Sequence, residues 1–520
     1  MTDIATPIFI KPGVDLEESL RAIAEAGATM IELRCDTAPE KMILAAIDEA
    51  SLPVIVTIRP TWEGGNYKGS ENTRLDLIEA AMEAGADYVD VELVAWEKSR
   101  DTRDRISDAI EKNGTKLIIS NHSFDARPAD LAERLARLRA VKDASILKIA
   151  WKAESILDAV EALRLTREHK AVERRPLLAL AMGEEGGISR LLAAKFGSPL
   201  TFASLERGQE SAPGQPTIAE LRGLYRWDKQ RRNTPVFGVI GWPVGHSLSP
   251  HIHNAGFDAR NLDGVYVPLA IRPEYAAFKA AVDALRACGD MNLRGLSVTI
   301  PHKDNALRYA ADTGATIDPL ARSIGAVNTL VFPKSGPASA LNTDYAGALD
   351  ALVAAMGPAP ADIAGATVAV IGAGGAARAI VAALAANGAS VTIYNRTRER
   401  AAALAAEFSG KTGVVTAEDW SRLPHSTCRI CINCTPLGMH PKVDASPVDF
   451  DPAWNARTIV FDTIYNPHKT QLLQLAEKKG ATIITGLEMF VRQAAIQFRA
   501  FTGQEAPADL FRKVLRATLA

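Results

Sequence analysis

"ATVAVIGAGGAARAIVAALAANGASVTIYNRT", Ala366 to Thr397, reads as strand, glycine-rich turn, helix and second strand. Glycines at the turn let the backbone approach a pyrophosphate, and the following helix N-terminus offers free N–H groups and a positive dipole end. A glycine-rich turn alone could be a plain tight turn, but the strand–turn–helix–strand order points to a dinucleotide. Gly372, Ala373, Gly374, Gly375 and Ala376 are the expected cradle. An NAD site usually places Asp or Glu after the second strand, to hold the ribose 2′-OH. Here that position reads Asn395, Arg396, Thr397. An arginine there would pair with a 2′-phosphate, which favours NADP (NADPH) over NAD; the alternative is a surface arginine.

This unit lies within a second β-α series that starts at "VFGVIG". The second half divides into 236–341, a nucleotide-binding unit at 342–485, and C-terminal helices at 486–520 that return to the substrate domain. Residues 1–225 alternate short apolar β-type runs with amphipathic helical runs. The strand candidates are "TPIFI", "MIELRCD", "VIVTIRP", "YVDVEL", "KLIISNH", "SILKIAW", "LLALAMG" and "LTFAS". Helical patterns such as 16–26, 73–84 and 153–168 separate most of them, and eight β-α repeats are what a TIM barrel requires. The basic stretch "YRWDKQRRNTP" reads as a helix end followed by a linker at 226–235, although a solvated helix face fits its charges equally well. The fold class expected is α/β: a (β/α)8 barrel, then a two-domain module containing a Rossmann unit.

Composition excludes several classes. Of 520 residues, 47% are hydrophobic and 23% charged, with a formal net charge of -2. That gives no electrostatic case for a nucleic-acid or membrane-surface partner. No apolar run approaches the roughly 18 residues of a membrane span, and "MTDIATPIFI" lacks the pattern of a signal or transit peptide. Five cysteines, odd and sparse, suggest a reducing compartment, and the expected location is cytoplasmic.

One strand raises a chemical question. "SILKIAW" carries Lys148 between Leu147 and Ile149, and a buried lysine is costly unless it is paired, or neutral and reactive. Two other stretches suggest metal. "CRICINC" spaces Cys428, Cys431 and Cys434 like ligands, but strand alternation would send Cys428 and Cys431 to opposite faces. "HSLSPHIHN" has three histidines without a carboxylate in ligand spacing. No metal is expected at either.

The second half resembles shikimate dehydrogenase along its length, on "GWPVGHSLSPHIHN", "GLSVTIPHK", "IGAVNT", "NTDYAG", "GAGGAARA", "NRT", "NCTPLGM", "DTIYNP" and "GLEMFVRQAAIQF". The resemblance implies that Lys303 and Asp344 form the catalytic pair, handling the proton of the substrate hydroxyl. Ser247, Ser249, Thr299, Asn328, Tyr465 and Gln493 would surround shikimate. Arg400 would share the 2′-phosphate with Arg396, and Gly486 would abut the nicotinamide side. Ser297 departs from the Asn of many relatives, which leaves its own contact open.

Residues 5–223 resemble type I 3-dehydroquinate dehydratase, on "IELRCD", "TIRPTWEGG", "ISNHSF", "LKIAW", "GGISRLLAAKFGS" and "SAPGQ". Barrel enzymes carry their chemistry at the C-terminal ends of strands, where Glu32, Arg34, Arg59, His122, Lys148 and Arg190 fall. The resemblance makes Lys148 the Schiff-base residue, its amine kept neutral by partial burial, with His122 as general acid and base and Glu63 tuning it. Arg190 would hold the substrate carboxylate, with Glu32, Arg34, Arg59, Ser211 and Gln215 on the ring hydroxyls and ketone. Lys152 and Lys11 are competing lysines, and Ser123 replaces the Asp or Asn of several relatives. Taken together, the two resemblances imply a bifunctional lyase and oxidoreductase of the shikimate pathway, on the route to chorismate and aromatic amino acids. It would convert 3-dehydroquinate to 3-dehydroshikimate and then to shikimate with NADPH. The alternatives are a single active half, a quinate dehydrogenase, or a metabolite-sensing regulatory protein. Oligomeric state is not readable.

Overall fold

All eight predicted barrel strands form: β1 (Asp3–Phe9), β2 (Met30–Arg34), β3 (Val54–Thr57), β4 (Tyr88–Glu92), β5 (Lys116–Ser123), β6 (Ala144–Lys152), β7 (Leu177–Met182) and β8 (Leu200–Phe202). The computed structural model describes residues 2–356, 363–409 and 413–519; residues 1 and 520, outer bounds of the first and last predicted units, lie outside these. Consecutive strands pair in parallel from β1 to β7, and β8 returns to β1. Among the described residues β7 and β8 share no ladder, so the barrel is one strand pair short of a continuous ring.

Strand alternation decides which residues see the barrel interior. On β6, Leu147 and Ile149 join the core beneath the helices, whereas Ile146 and Ala150 pack inside with Leu178, Leu180 and Phe202. Lys148 shares this inner face. Its sequence neighbours Leu147 and Ile149 therefore do not surround it.

In the basic stretch after the barrel, expected as a helix end and a linker, Lys229, Arg231 and Arg232 are exposed but Arg226 is not. Arg226 is buried in the left-handed conformation (φ 53), ion-pairs with Asp258 at 3.0 Å and donates to the carbonyl oxygens of Leu262 and Gly264. Buried Lys195 of the barrel donates to the carbonyls of Arg232 and Thr234 at 2.6 and 2.7 Å. These bonds satisfy backbone groups that would otherwise be stranded between the barrel and the next unit.

That unit contains β9 (Val236–Gly241), β10 (Val265–Ala270), β11 (Leu293–Val298), β12 (Thr316–Ile317), β13 (Thr329–Val331) and β14 (Ser339–Leu341), in the order β10-β9-β11-β13-β14-β12. The third sheet is parallel: β15 (Thr367–Ile371), β16 (Ser390–Asn395), β17 (Val414–Asp419), β18 (Ile430–Asn433), β19 (Ile459–Asp462) and β20 (Thr482–Ile484). Its order, β17-β16-β15-β18-β19-β20, reverses direction at β15/β18, where doubly wound sheets bind ligands. The helix Gly486–Thr502 packs on Thr343–Met356. Phe498, Phe511 and Leu515 then join Phe237, Phe257 and Tyr266 in the core of the middle unit.

Cys428 precedes β18 rather than lying in it, so the alternation argument does not apply to it. It packs in the same cluster as Cys431, and the two thiols interact. Among the described residues, no group of three or more His, Cys, Asp or Glu side chains is placed to hold a metal ion. No helix among them is long and apolar enough to cross a membrane.

Candidate active sites

At the C-terminal mouth of the barrel, one cavity is lined by Glu32, Arg34, Arg59, Glu63, His122, Lys148, Arg190, Ser211 and Gln215. Every dehydratase residue expected from the sequence is in that set. Exposed Lys152 and Lys11 are not. The inner wall is a buried charge network. Lys148 Nζ donates to Asp90 Oδ2 at 2.9 Å and lies 4.7 Å from the centre of the Phe202 ring. Arg59 donates to Asp90 at 2.8 Å and to Glu92 at 2.7 Å, and Arg74 donates to the other Glu92 oxygen at 2.7 Å. Burial pushes the Asp90 carboxyl up, but the Arg59 and Lys148 cations outweigh it and hold the group below the usual carboxylate range.

Lysine 148 is thus a paired lysine before substrate arrives. Asp90, Glu92 and Arg74 were not singled out in the sequence. The signal was nevertheless present: "YVDVEL" puts Asp90 and Glu92 two apart on one face of a strand, with Val89 and Val91 facing the helices. Two acids on the inner face of a barrel require cations opposite them.

His122 Nδ1 lies 2.9 Å from Glu63 Oε1, which also accepts the His122 backbone N–H at 2.9 Å. Burial, followed by the Arg59 and Lys148 charges, holds the imidazole well below its ordinary value, so it is neutral. Burial pushes Glu63 the other way, up to about 8, against the pull of Arg59. Arg190 is buried, and its Nε and Nη1 have no hydrogen-bond partner among the described residues. Burial lowers its value to about 10. A desolvated guanidinium with two open donors in a cavity matches a planar anion such as a carboxylate. Gln215 holds its own loop, accepting from Ser211 N at 2.8 Å and donating to Ser211 Oγ at 3.1 Å. Glu32 accepts from Thr57 Oγ1 at 3.0 Å, and Arg34 pairs with Asp36 at 3.0 Å. Ser123 closes its turn by donating to Ala126 O at 2.8 Å.

In the second half, Lys303 opens the helix Lys303–Asp312 and Asp344 lies in the first turn of Thr343–Met356. Lys303 Nζ donates to Asp344 Oδ2 at 2.5 Å. Asn328 accepts from Thr343 N at 2.8 Å, and Thr343 Oγ1 donates to Gln493 Oε1 at 3.4 Å, so three elements meet there. Ser247 Oγ accepts from Ser249 N at 3.3 Å. Thr299 follows β11 and lies against Gly241 at the end of β9. Tyr465 packs on Phe490 at 4.9 Å between ring centres. Among the described residues, no hydrogen bond joins Ser247, Ser249 or Tyr465 to the Lys303–Asp344 pair. Ser297 has its own role: it accepts from Tyr266 at 2.6 Å and donates to Gln497 at 2.7 Å, inside the core.

The family models match in order along the chain: type I 3-dehydroquinase at 4–232, shikimate dehydrogenase substrate-binding domain at 239–330, shikimate/quinate 5-dehydrogenase at 355–435, and shikimate 5′-dehydrogenase C-terminal domain at 486–516. A chloroplastic bifunctional 3-dehydroquinate dehydratase/shikimate dehydrogenase of Arabidopsis thaliana is 39% identical over 508 residues, covering 94% of this chain and 80% of the relative. The chain belongs to the bifunctional 3-dehydroquinate dehydratase/shikimate dehydrogenase family. Its dehydrogenase half alone is 42% identical to a shikimate dehydrogenase (NADP+) of Methanosarcina mazei, across 55% of this chain and 98% of that one. The same half matches a shikimate dehydrogenase solved with NADP+ at 35% identity and a TM-score of 0.50, covering 55% of this chain and 96% of that one.

The dehydrogenase half of this bifunctional enzyme is built to take the nucleotide. Gly372 has φ +110, and a Cβ there would stand 3.2 Å from the Cys434 carbonyl, while the space beside Gly374 is open. A Cβ on Gly375 would come within 3.7 Å of the Lys303 side chain, so the glycine loop and the Lys303–Asp344 pair are neighbours. Gly486 is pressed against the backbone of Ile464, where a Cβ would approach to 2.4 Å. Arg396 and Arg400 are exposed beyond β16, and neither is paired with a carboxylate among the described residues.

Proposed function

We propose that Lys148, His122 and Glu63 carry out the dehydration, and that Lys303 and Asp344 move the proton of the reduction. The observation that carries the first assignment is the single cavity in which Lys148, the His122–Glu63 pair and the unpartnered Arg190 converge. In this bifunctional enzyme Arg190 receives the carboxylate of 3-dehydroquinate, with Glu32, Arg34, Arg59, Ser211 and Gln215 around the ring. Lys148 gives up a proton, for which the neutral imidazole of His122 is the acceptor in the cavity, and its amine adds to the ketone carbon. His122 returns that proton to the carbinolamine hydroxyl, which leaves as water, so an iminium forms beside an imidazole that is neutral again. His122 removes the adjacent C–H proton, the electron pair moves to nitrogen, and the enamine then expels the hydroxyl, which takes that proton from His122 as water. Hydrolysis frees 3-dehydroshikimate and Lys148. The iminium is a cation like the ammonium it replaces, and in the neutral amine and enamine stages Asp90 keeps Arg59 at 2.8 Å and Ser120 at 2.6 Å.

In the second half Ser247, Ser249, Thr299, Asn328, Tyr465 and Gln493 are the proposed ligands of 3-dehydroshikimate and shikimate. Gly372 to Ala376, Asn395, Arg396, Thr397, Arg400 and Gly486 are the proposed NADP contacts. NADPH, when bound, supplies the hydride. Lys303 donates the proton to the ketone oxygen as it becomes a hydroxyl, and Asp344 orients the ammonium and stabilises its charge. All five cysteines are free thiols, which supports a reducing, cytoplasmic location. The combined reading is tested by incubating the chain with 3-dehydroquinate and NADPH. NADPH consumption with shikimate as product is expected; 3-dehydroquinate consumption that stops at 3-dehydroshikimate would contradict it.

Two further outcomes are expected. Below about 8 the Glu63 carboxyl holds a proton. Its ionisation leaves His122 Nδ1–H donating to the carboxylate and Nε2 free as base. Dehydratase kcat/KM is therefore expected to rise with pH toward about 8 and then level, and Glu63→Gln should remove that limb. A parent profile flat from about pH 6 to 9 would contradict this. In the other half, Arg396→Ala should raise KM for NADP+ by about tenfold and leave that for NAD+ unchanged, because only NADP carries the 2′-phosphate. Equal changes for both cofactors would count against the contact.

A further inference from the structure

The loop after β7 belongs to the dehydratase, yet it reaches the other half of the molecule. Its residues Gly183 to Gly187 lie between β7 and the short helix that carries Arg190. Glu184 Oε1 accepts the backbone N–H groups of Val244, at 3.3 Å, and Gly245, at 3.2 Å. Both belong to the loop after β9, in "GWPVGHSLSP". Neighbouring Glu185 faces Arg272 at 3.6 Å, and Arg272 lies 6.0 Å from the Trp242 ring of that same loop. A Cβ on Gly245 would sit 3.5 Å from the Glu184 oxygen, so the carboxylate is closely seated there.

The contact continues inward as a relay. Val244, held through its N–H, accepts Ser247 N at its carbonyl at 3.0 Å, and Ser247 Oγ accepts Ser249 N at 3.3 Å. The barrel side is braced as well. Gly183 N donates to Pro213 O at 3.1 Å, and Ser189 Oγ donates to Gly186 O at 2.8 Å. A Cβ on Gly186 would approach the Ala181 carbonyl to 2.3 Å, so the turn allows no bulkier residue.

We propose that Glu184, a residue of the dehydratase barrel, is a positioning residue for the dehydrogenase: by holding the Val244 and Gly245 N–H groups it sets the loop that presents Ser247 and Ser249 to shikimate. Two N–H donors on one carboxylate are charge-assisted and orient the peptide planes. Glu184 is exposed, so its effect is moderated by solvent. The expected signature is on shikimate binding, not on NADP or on hydride transfer. This inference rests on the reading of Ser247 and Ser249 as shikimate ligands.

The test measures steady-state shikimate oxidation by the full chain. Glu184→Ala should raise KM for shikimate by about fivefold, with kcat, KM for NADP+ and dehydratase kcat/KM unchanged within about twofold. Glu184→Gln keeps an acceptor oxygen and should recover most of the loss. Combining Glu184→Ala with Ser247→Ala should raise KM by less than the product of the single effects, because both act through one loop. An unchanged shikimate KM in Glu184→Ala, beside a raised one in Ser247→Ala, would overturn the positioning role alone. If neither Ser247→Ala nor Ser249→Ala raised KM, the ligand assignment beneath it would fall too. Equal losses for shikimate and NADP+ would mark general damage and also overturn the proposal.

Discussion

Lys148→Ala is expected to lower dehydratase kcat by at least about ten-thousand-fold, because removing a covalent nucleophile abolishes the route and leaves only binding and acid–base assistance. Shikimate oxidation by the same variant should be unchanged, which separates chemistry from folding. The substitution also removes a cation from a buried network. Asp90 would retain Arg59 at 2.8 Å and Ser120 at 2.6 Å, so it would not be left without partners. Lys148→Met, which fills more of the space, should be equally inactive and more stable than the alanine variant. Lys152→Ala should leave the dehydratase rate within about twofold, as a substitution of an exposed side chain outside the cavity. Activity lost in Lys152→Ala and kept in Lys148→Ala would reverse the assignment.

The second large effect is in the other half. Asp344→Asn should reduce kcat for shikimate oxidation by about a hundredfold or more, the usual contribution of a positioned proton-transfer group. The 2.5 Å contact with Lys303 is what makes the change costly: an amide preserves the shape but not the charge that draws the ammonium into place. Lys303→Met should cost at least as much. In both variants dehydratase activity should persist, and full-rate shikimate oxidation in Asp344→Asn would refute the pair.

Much of this was legible because the relevant signals are local. β-type runs separated by amphipathic helices marked all eight barrel strands, and groups on those strands and in the loops after them met in one cavity. The glycine turn at Gly372 to Gly375 was readable since a strand before it and a helix after it fix its geometry. Other features depend on partners far along the chain. The contacts of Lys148 could not be read from Leu147 and Ile149, because alternation turns them away. Its partners are Asp90, 58 residues earlier, and the Phe202 ring from the last strand. Arg226 reads as a solvated charge until Asp258 and the carbonyls of Leu262 and Gly264 are brought to it. Glu184 looks like a surface acid in "MGEEGG", and only the packing of the two halves shows what its oxygen receives.

The central claim is that Lys148 forms the covalent bond to substrate. Borohydride reduction in the presence of 3-dehydroquinate, followed by peptide mapping, tests it directly. One reduced adduct is expected, on the peptide bearing Lys148, with none on Lys152 or Lys11 and none in Lys148→Ala. An adduct that is absent from the parent chain, or that survives Lys148→Ala, would contradict the account.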